Sequence, residues 1–93
     1  MVVGLGSVEL RLEWSNSLKD KRREIKSLIS RVRSRFNVSI AETEQQEQWK
    51  KAVLSFAAVS SERRHADSML NEVIRFIERS TEAELVSYKT EII

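Results

Sequence analysis

The chain has 93 residues, 41% of them hydrophobic and 32% charged, with no cysteine or proline and a formal net charge of +2. That length holds one core, so a single domain spanning 1–93 is expected, and the composition is globular rather than disordered. The lack of cysteine excludes disulfides, thiolate catalysis and cysteine-ligated zinc.

The opening Met1-Val-Val-Gly-Leu is a brief apolar run without the basic residues of a secretory signal. No apolar run approaches the roughly 20 residues that cross a bilayer. A cytoplasmic protein without membrane contact is expected.

Val8, Leu10, Leu12 and Trp14 alternate with Ser7, Glu9, Arg11 and Glu13, the period of two of a strand. Val3 and Leu5 precede it on the opposite face, so the beginning of the strand is expected to be covered on both sides. Ser17 stands where a helix N-cap belongs, with Asp20 three residues on as a short-armed capping box. Leu18, Ile25, Leu28, Ile29, Val32 and Phe36 follow at helical spacing and form one apolar stripe. Asn37 is expected to close this helix in the left-handed conformation.

Val38 and Ile40 alternate with Ser39 and Ala41 in a second strand, and the polar run Glu42 to Gln48 reads as a hairpin connection without glycine. A third strand is expected from about Trp49 to Ser60. Ala52, Leu54, Phe56 and Ala58 occupy one of its faces, and Val53, Ser55, Ala57 and Val59 the other. Ser60 or Ser61 is placed to cap a second helix with the stripe Ala66, Met69, Leu70, Val73, Phe76 and Ile77. Thr81 to Ile92 supplies the last strand.

The order βαββαβ predicts an α+β, ferredoxin-like fold: a four-stranded antiparallel sheet with two helices on one face. Such a fold leaves the second sheet face bare. Val53, Ser55, Ala57 and Val59 make that face unusually apolar for solvent, so it is expected to be an oligomer interface or to be covered by another partner.

The segments Ser17-Leu-Lys-Asp-Lys-Arg22 and Phe36-Asn-Val-Ser-Ile-Ala-Glu42, with Trp49 beyond them, resemble those of the YlxP-like family of small bacterial proteins. The resemblance covers essentially the whole chain. It implies a ferredoxin-like fold and, because members are often encoded near ribosome-binding factor A and translation initiation factors, a role around the ribosome or RNA metabolism. It implies no catalytic residues and no cofactor.

Charge sharpens that expectation. Between Ser17 and Arg35 the bases Lys19, Lys21, Arg22, Arg23, Lys26, Arg31, Arg33 and Arg35 are opposed only by Asp20 and Glu24. This helix therefore carries +6 and the rest of the chain −4. Four of the bases sit where the helix macrodipole is already positive. Lys19/Arg23, Arg22/Lys26 and Arg31/Arg35 are like-charged i,i+4 pairs, each unfavourable by roughly 0.2–0.5 kcal/mol.

At 100° per residue, Arg22, Arg33, Lys26 and Lys19 share one flank, with Arg23 just beyond, and the flank runs about 21 Å. That length compares with several consecutive phosphates, and the free N–H groups at the Ser17 end add a further anion site. Lys19, Arg22, Arg23, Lys26 and Arg33 are the candidate anion- and nucleic-acid-binding residues. Arg31 and Arg35, on the other flank beside Glu24, are expected to be paired. Lys21 lies about 40° from the core direction, so its stem is expected to pack while its ammonium snorkels to water.

Other constellations carry less. Trp14, Trp49 and Tyr88 could stack bases, but Trp14 is expected on the core side and Trp49 at the hairpin edge. The outer face of the third strand, Val53, Ser55, Ala57 and Val59, lacks the aromatic residues of an RNA-stacking platform. His65 is the only histidine and has no cysteine or second histidine to complete a metal site. An acylphosphatase-like activity would need a glycine-rich phosphate loop where Trp14-Ser-Asn-Ser17 stands. Glu42, Glu44 and Glu47 gather at the hairpin as a solvated acidic turn, with Glu42 able to pair with a base of the first helix.

The expected function is a non-catalytic module contacting phosphates of ribosomal or other structured RNA through the first helix. The alternative is a structural module, a homodimer through the open sheet face, with no nucleic-acid role.

Overall fold

Alternation of apolar residues with Ser7, Glu9 and Arg11 makes an extended strand of Val2–Arg11 (β1), whose Val8 and Leu10 are buried while Glu9 and Arg11 face water. The structure, a computed structural model, describes residues 1–93 and continues with α1 (Leu18–Arg35), β2 (Ser39–Glu44), β3 (Lys51–Ser60), α2 (Arg63–Ser80) and β4 (Glu84–Ile92). The strands form one antiparallel sheet in the order β2-β3-β1-β4. This is the ferredoxin-like βαββαβ arrangement, with β2 and β4 at the edges.

Both helices lie on one side of the sheet. α1 packs over β2, and α2 packs over β1, β3 and β4. The core between the layers holds Val8, Leu10, Leu12, Ile25, Leu28, Val32, Ile40, Leu54, Phe56, Leu70, Val73, Ile74 and Ile77. Fully burying one such side chain is worth about 1.5–3 kcal/mol, so these two stripes meeting on one sheet face supply most of the stabilisation. Gly6 belongs to this face because Phe56 lies across it: a Cβ there would stand 2.4 Å from Phe56 Cε2.

Ser17 caps α1 as expected, its Oγ accepting from the Asp20 N–H at 3.0 Å. Asp20 returns the bond one residue earlier than a capping box would, accepting from the Asn16 N–H at 3.1 Å.

Several local expectations are corrected. α1 ends at Phe36 in extended conformation, and the positive φ outside glycine belongs to Gln45, at 65°, not to Asn37. The α2 N-cap position is Glu62 without a side-chain cap; Ser60 instead accepts from the Glu62 N–H at 3.1 Å. β3 begins at Lys51, leaving Trp49 in the turn, and β4 begins at Glu84. Trp14 lies in the turn after β1 and is exposed, because Leu12 is the last inward residue of that alternation. The outer face of the β1 opening is bare, with Val3 and Leu5 only half-buried.

Candidate nucleic-acid interface

The bases of α1 divide by what each meets. Lys21 is the exception among them, with 0% of its surface exposed. Its Nζ stands 3.0 Å from Glu42 Oε2 and donates to the carbonyls of Gln45 (2.7 Å), Gln46 (3.2 Å) and Lys51 (3.1 Å). An ammonium has three protons, and three carbonyls take them. Glu42 therefore supplies charge rather than an aligned acceptor, and its buried Oε2 has no hydrogen-bond donor of its own. The expected snorkelling does not occur, because the β2–β3 turn folds over the N-terminal half of α1 and closes the route to water. Glu42 is a half-buried counterion there, its side chain 17% exposed, and not part of a solvated acidic turn.

The opposite flank is also used internally. Arg31 pairs with Glu24 at 3.3 Å and donates to the Ser80 carbonyl, while Glu24 accepts from Thr81 Oγ1 at 2.7 Å. These bonds tie α1 to the end of α2. Arg35 lies over the Phe76 ring, 5.2 Å from its centroid.

The predicted flank is left largely unneutralised. Lys19, Arg22, Arg23, Lys26 and Arg33 are all exposed. Arg22 meets Glu47 at 3.8 Å across two solvated side chains, a contact worth about 0–1 kcal/mol at most. Lys19, Arg23, Lys26 and Arg33 have no carboxylate within 4.0 Å. Arg33 donates to the Ile40 carbonyl at 3.0 Å, a neutral partner that fixes the guanidinium beside β2 and leaves its charge in place. Between the strip and β2 runs a groove of about 310 Å³ lined by Arg22, Ile25, Lys26, Ile29 and Glu42.

The side chains are therefore held on a rigid helix, at successive turns, with cationic heads in water. Such a strip can hold polyanions by charge and shape; it presents no nucleophile with an adjacent base. His65 is exposed on α2, its Nδ1 3.0 Å from Ser60 Oγ. No cluster of three or more His, Cys, Asp or Glu stands close enough to hold a metal ion, and no helix is long and apolar enough to cross a membrane.

The second predicted surface lies on the other side of the sheet. Val53, Ser55 and Ala57 are half-buried there and Val59 is exposed. Val3 and Leu5 pair across with Val59 and Ala57 on the same face. The bare face and the basic strip are thus on opposite layers and do not form one site. Sequence reasoning missed the caging of Lys21 and the bond from Arg31 to Ser80. The 40° offset of Lys21 from the core direction marked only the packing of its stem, and nothing local marks its carbonyl acceptors or the Arg31 bond.

A family model described as "Protein of unknown function (DUF503)" matches residues 3–90. The chain is 36% identical over 90 residues to "Uncharacterized protein YlxP" of Bacillus subtilis (strain 168), a match spanning 97% of this chain and 98% of that protein. Among solved structures it is similar to a de novo designed protein, LFR1 1, described as having a ferredoxin fold, with TM-score 0.57, 13% identity and coverage of 99% of this chain and 84% of that one. It is also similar to the de novo designed protein Foldit4, with TM-score 0.51, 13% identity and coverage of 99% and 94%. At such identity the two designed proteins support the fold alone.

Proposed function

The chain belongs to the DUF503 family, of unknown function, and we propose that it is a non-catalytic module that binds the phosphate backbone of structured RNA through α1. The observation that carries this reading is the absence of any carboxylate within 4.0 Å of Lys19, Arg23, Lys26 or Arg33, in a helix where Lys21 is caged, Arg31 is ion-paired and Arg35 lies over Phe76 on the other flank. A solvated helix that served solubility alone would intersperse the two signs. Here the acids of α1 stand apart from the strip, Glu24 on the Arg31 flank and Asp20 turned back to the Asn16 N–H.

Three or four phosphate contacts are within reach of the strip. Contacts of that number give weak, salt-dependent affinity, because each neutralised phosphate releases a counterion. Readout is by backbone and shape rather than by base edges. Trp14, Trp49 and Tyr88 are exposed but lie off α1, on separate elements, and make no common stacking platform with the strip.

The test is binding of structured RNA, such as ribosomal subunits, by the wild-type chain and by the variant Lys19→Glu/Lys26→Glu. Both positions are exposed, so the variant folds. Loss of binding at low salt is expected; wild-type affinity in the variant contradicts the reading.

A further inference from the structure

We propose that the bare face of the sheet is a homodimer interface, occupied by a second copy of this chain. The face is built by register. Val3 lies opposite Val59, Leu5 opposite Ala57, Ser7 opposite Ser55 and Glu9 opposite Val53. β4 adds Lys89 beside Ser7 and Glu91 beside Leu5, and β2 adds Ala41 and Glu44 beside Ser55 and Val53. Ile93 continues it, exchanging backbone hydrogen bonds with Val3 at 2.8 and 2.9 Å.

One end of this face is apolar and open. Val59 is 65% exposed and Ile93 62% exposed, and they flank the half-buried Val3 and Leu5. A depression of about 490 Å³ with Leu5, Ser7, Ser55, Lys89 and Glu91 in its lining continues the surface. Apolar side chains left in water on a continuous sheet surface lose the stabilisation of burial.

Charge selects the occupant. The face carries Glu9, Glu44, Glu84 and Glu91 against Arg11, Lys51 and Lys89, so its net charge is only −1. Only Arg11 and Glu84 are paired within the molecule, Arg11 meeting Glu13 at 3.6 Å and Glu84 at 3.5 Å. Lys51, Lys89, Glu9, Glu44 and Glu91 have no ion-pair partner within 4.0 Å. RNA requires net positive charge, and a strongly charged protein requires the opposite sign; this face offers neither. Three unpaired acids and two unpaired bases interspersed on one surface complement those of a second copy, since under a two-fold axis every cross-pair forms twice.

Size agrees. Four strands about 4.8 Å apart, the longest with 10 residues at about 3.3 Å each, span roughly 19 by 33 Å, or about 600 Å² per copy. Two such faces bury about 1,200 Å², above the roughly 1,000 Å² that a specific contact needs. A two-fold axis in the interface and parallel to β1 lays apolar end on apolar end, in the aligned packing of stacked sheets. α1 lies on the far layer of each copy, so the dimer carries its two basic strips on its outer surfaces.

The experiment is sedimentation equilibrium at micromolar concentration, against the 10.8 kDa of one chain. The wild-type protein is expected at twice that mass. Val59→Glu changes an exposed residue and leaves the monomer folded by circular dichroism, but raises the dimer Kd about 100-fold or more, because each interface would gain two facing unpaired carboxylates. Lys19→Glu/Lys26→Glu is expected to remain dimeric. A wild-type mass of one chain overturns the proposal. So does a dimer that survives both Val59→Glu and Val53→Glu, or one that Lys19→Glu/Lys26→Glu dissociates. RNA binding at low salt is read separately on Val59→Glu, so failure of the dimer leaves the phosphate-binding reading standing.

Discussion

The Lys21 ammonium sits 3.0 Å from Glu42 Oε2 while spending its protons on the carbonyls of Gln45, Gln46 and Lys51. One side chain therefore anchors the N-terminal half of α1 to the β2–β3 turn and holds Gln45 in its left-handed conformation. The same contact decides which bases of the helix remain available, because it removes Lys21 from the surface and commits the Glu42 carboxylate to that ammonium.

Removing Lys21 leaves a half-buried carboxylate without its counterion and three carbonyls without their donor. Lys21→Met is expected to destabilise the fold by about 3–5 kcal/mol in urea unfolding. Glu42→Gln, which leaves the three carbonyl bonds intact, should cost less, about 1–3 kcal/mol. A smaller loss for Lys21→Met than for Glu42→Gln would show that the carbonyl bonds are not the anchor.

Gly6→Ala forces a methyl to within 2.4 Å of Phe56 Cε2, and Phe56 is buried between the layers. An overpacking loss of about 1–3 kcal/mol is expected. Gly4→Ala meets the Leu70 side-chain carbons at 3.1–3.3 Å and should cost less. Thermal unfolding of the two variants gives the order directly.

Arg31 distinguishes structural from exposed cations on one helix. Its bonds to Glu24 and the Ser80 carbonyl join α1 to the C-terminal end of α2. Arg31→Ala is expected to lower stability by about 1–3 kcal/mol while changing RNA affinity less than Lys26→Ala does. Equal effects of the two on affinity would indicate a diffuse field rather than a strip.

The fold was legible because each element announces its own period. The alternation through Val8, Leu10 and Leu12, the stripe from Ile25 to Val32 and the two-faced run Val53–Val59 permit little besides βαββαβ. Element ends were less legible: neither Asn37 nor Ser61 takes the capping role its side chain suggests, and Thr81 closes α2 instead of opening β4. The strip from Lys19 to Arg33 was readable from helical geometry alone, since its members share a face whatever the helix packs against. The Lys21 cage was not, because its acceptors lie 24 to 30 residues away and are backbone carbonyls, which leave no residue-type signature.

The most direct measurement is the salt dependence of binding to a structured RNA, read as the slope of log Kobs against log salt for the wild-type chain and Lys19→Glu/Lys26→Glu. Three or four unneutralised cations predict a wild-type slope of about −2 to −3.5, with binding by the variant too weak to yield one. Binding that does not change with salt, or a variant with the wild-type slope and affinity, would contradict the assignment of α1 as a phosphate-binding surface.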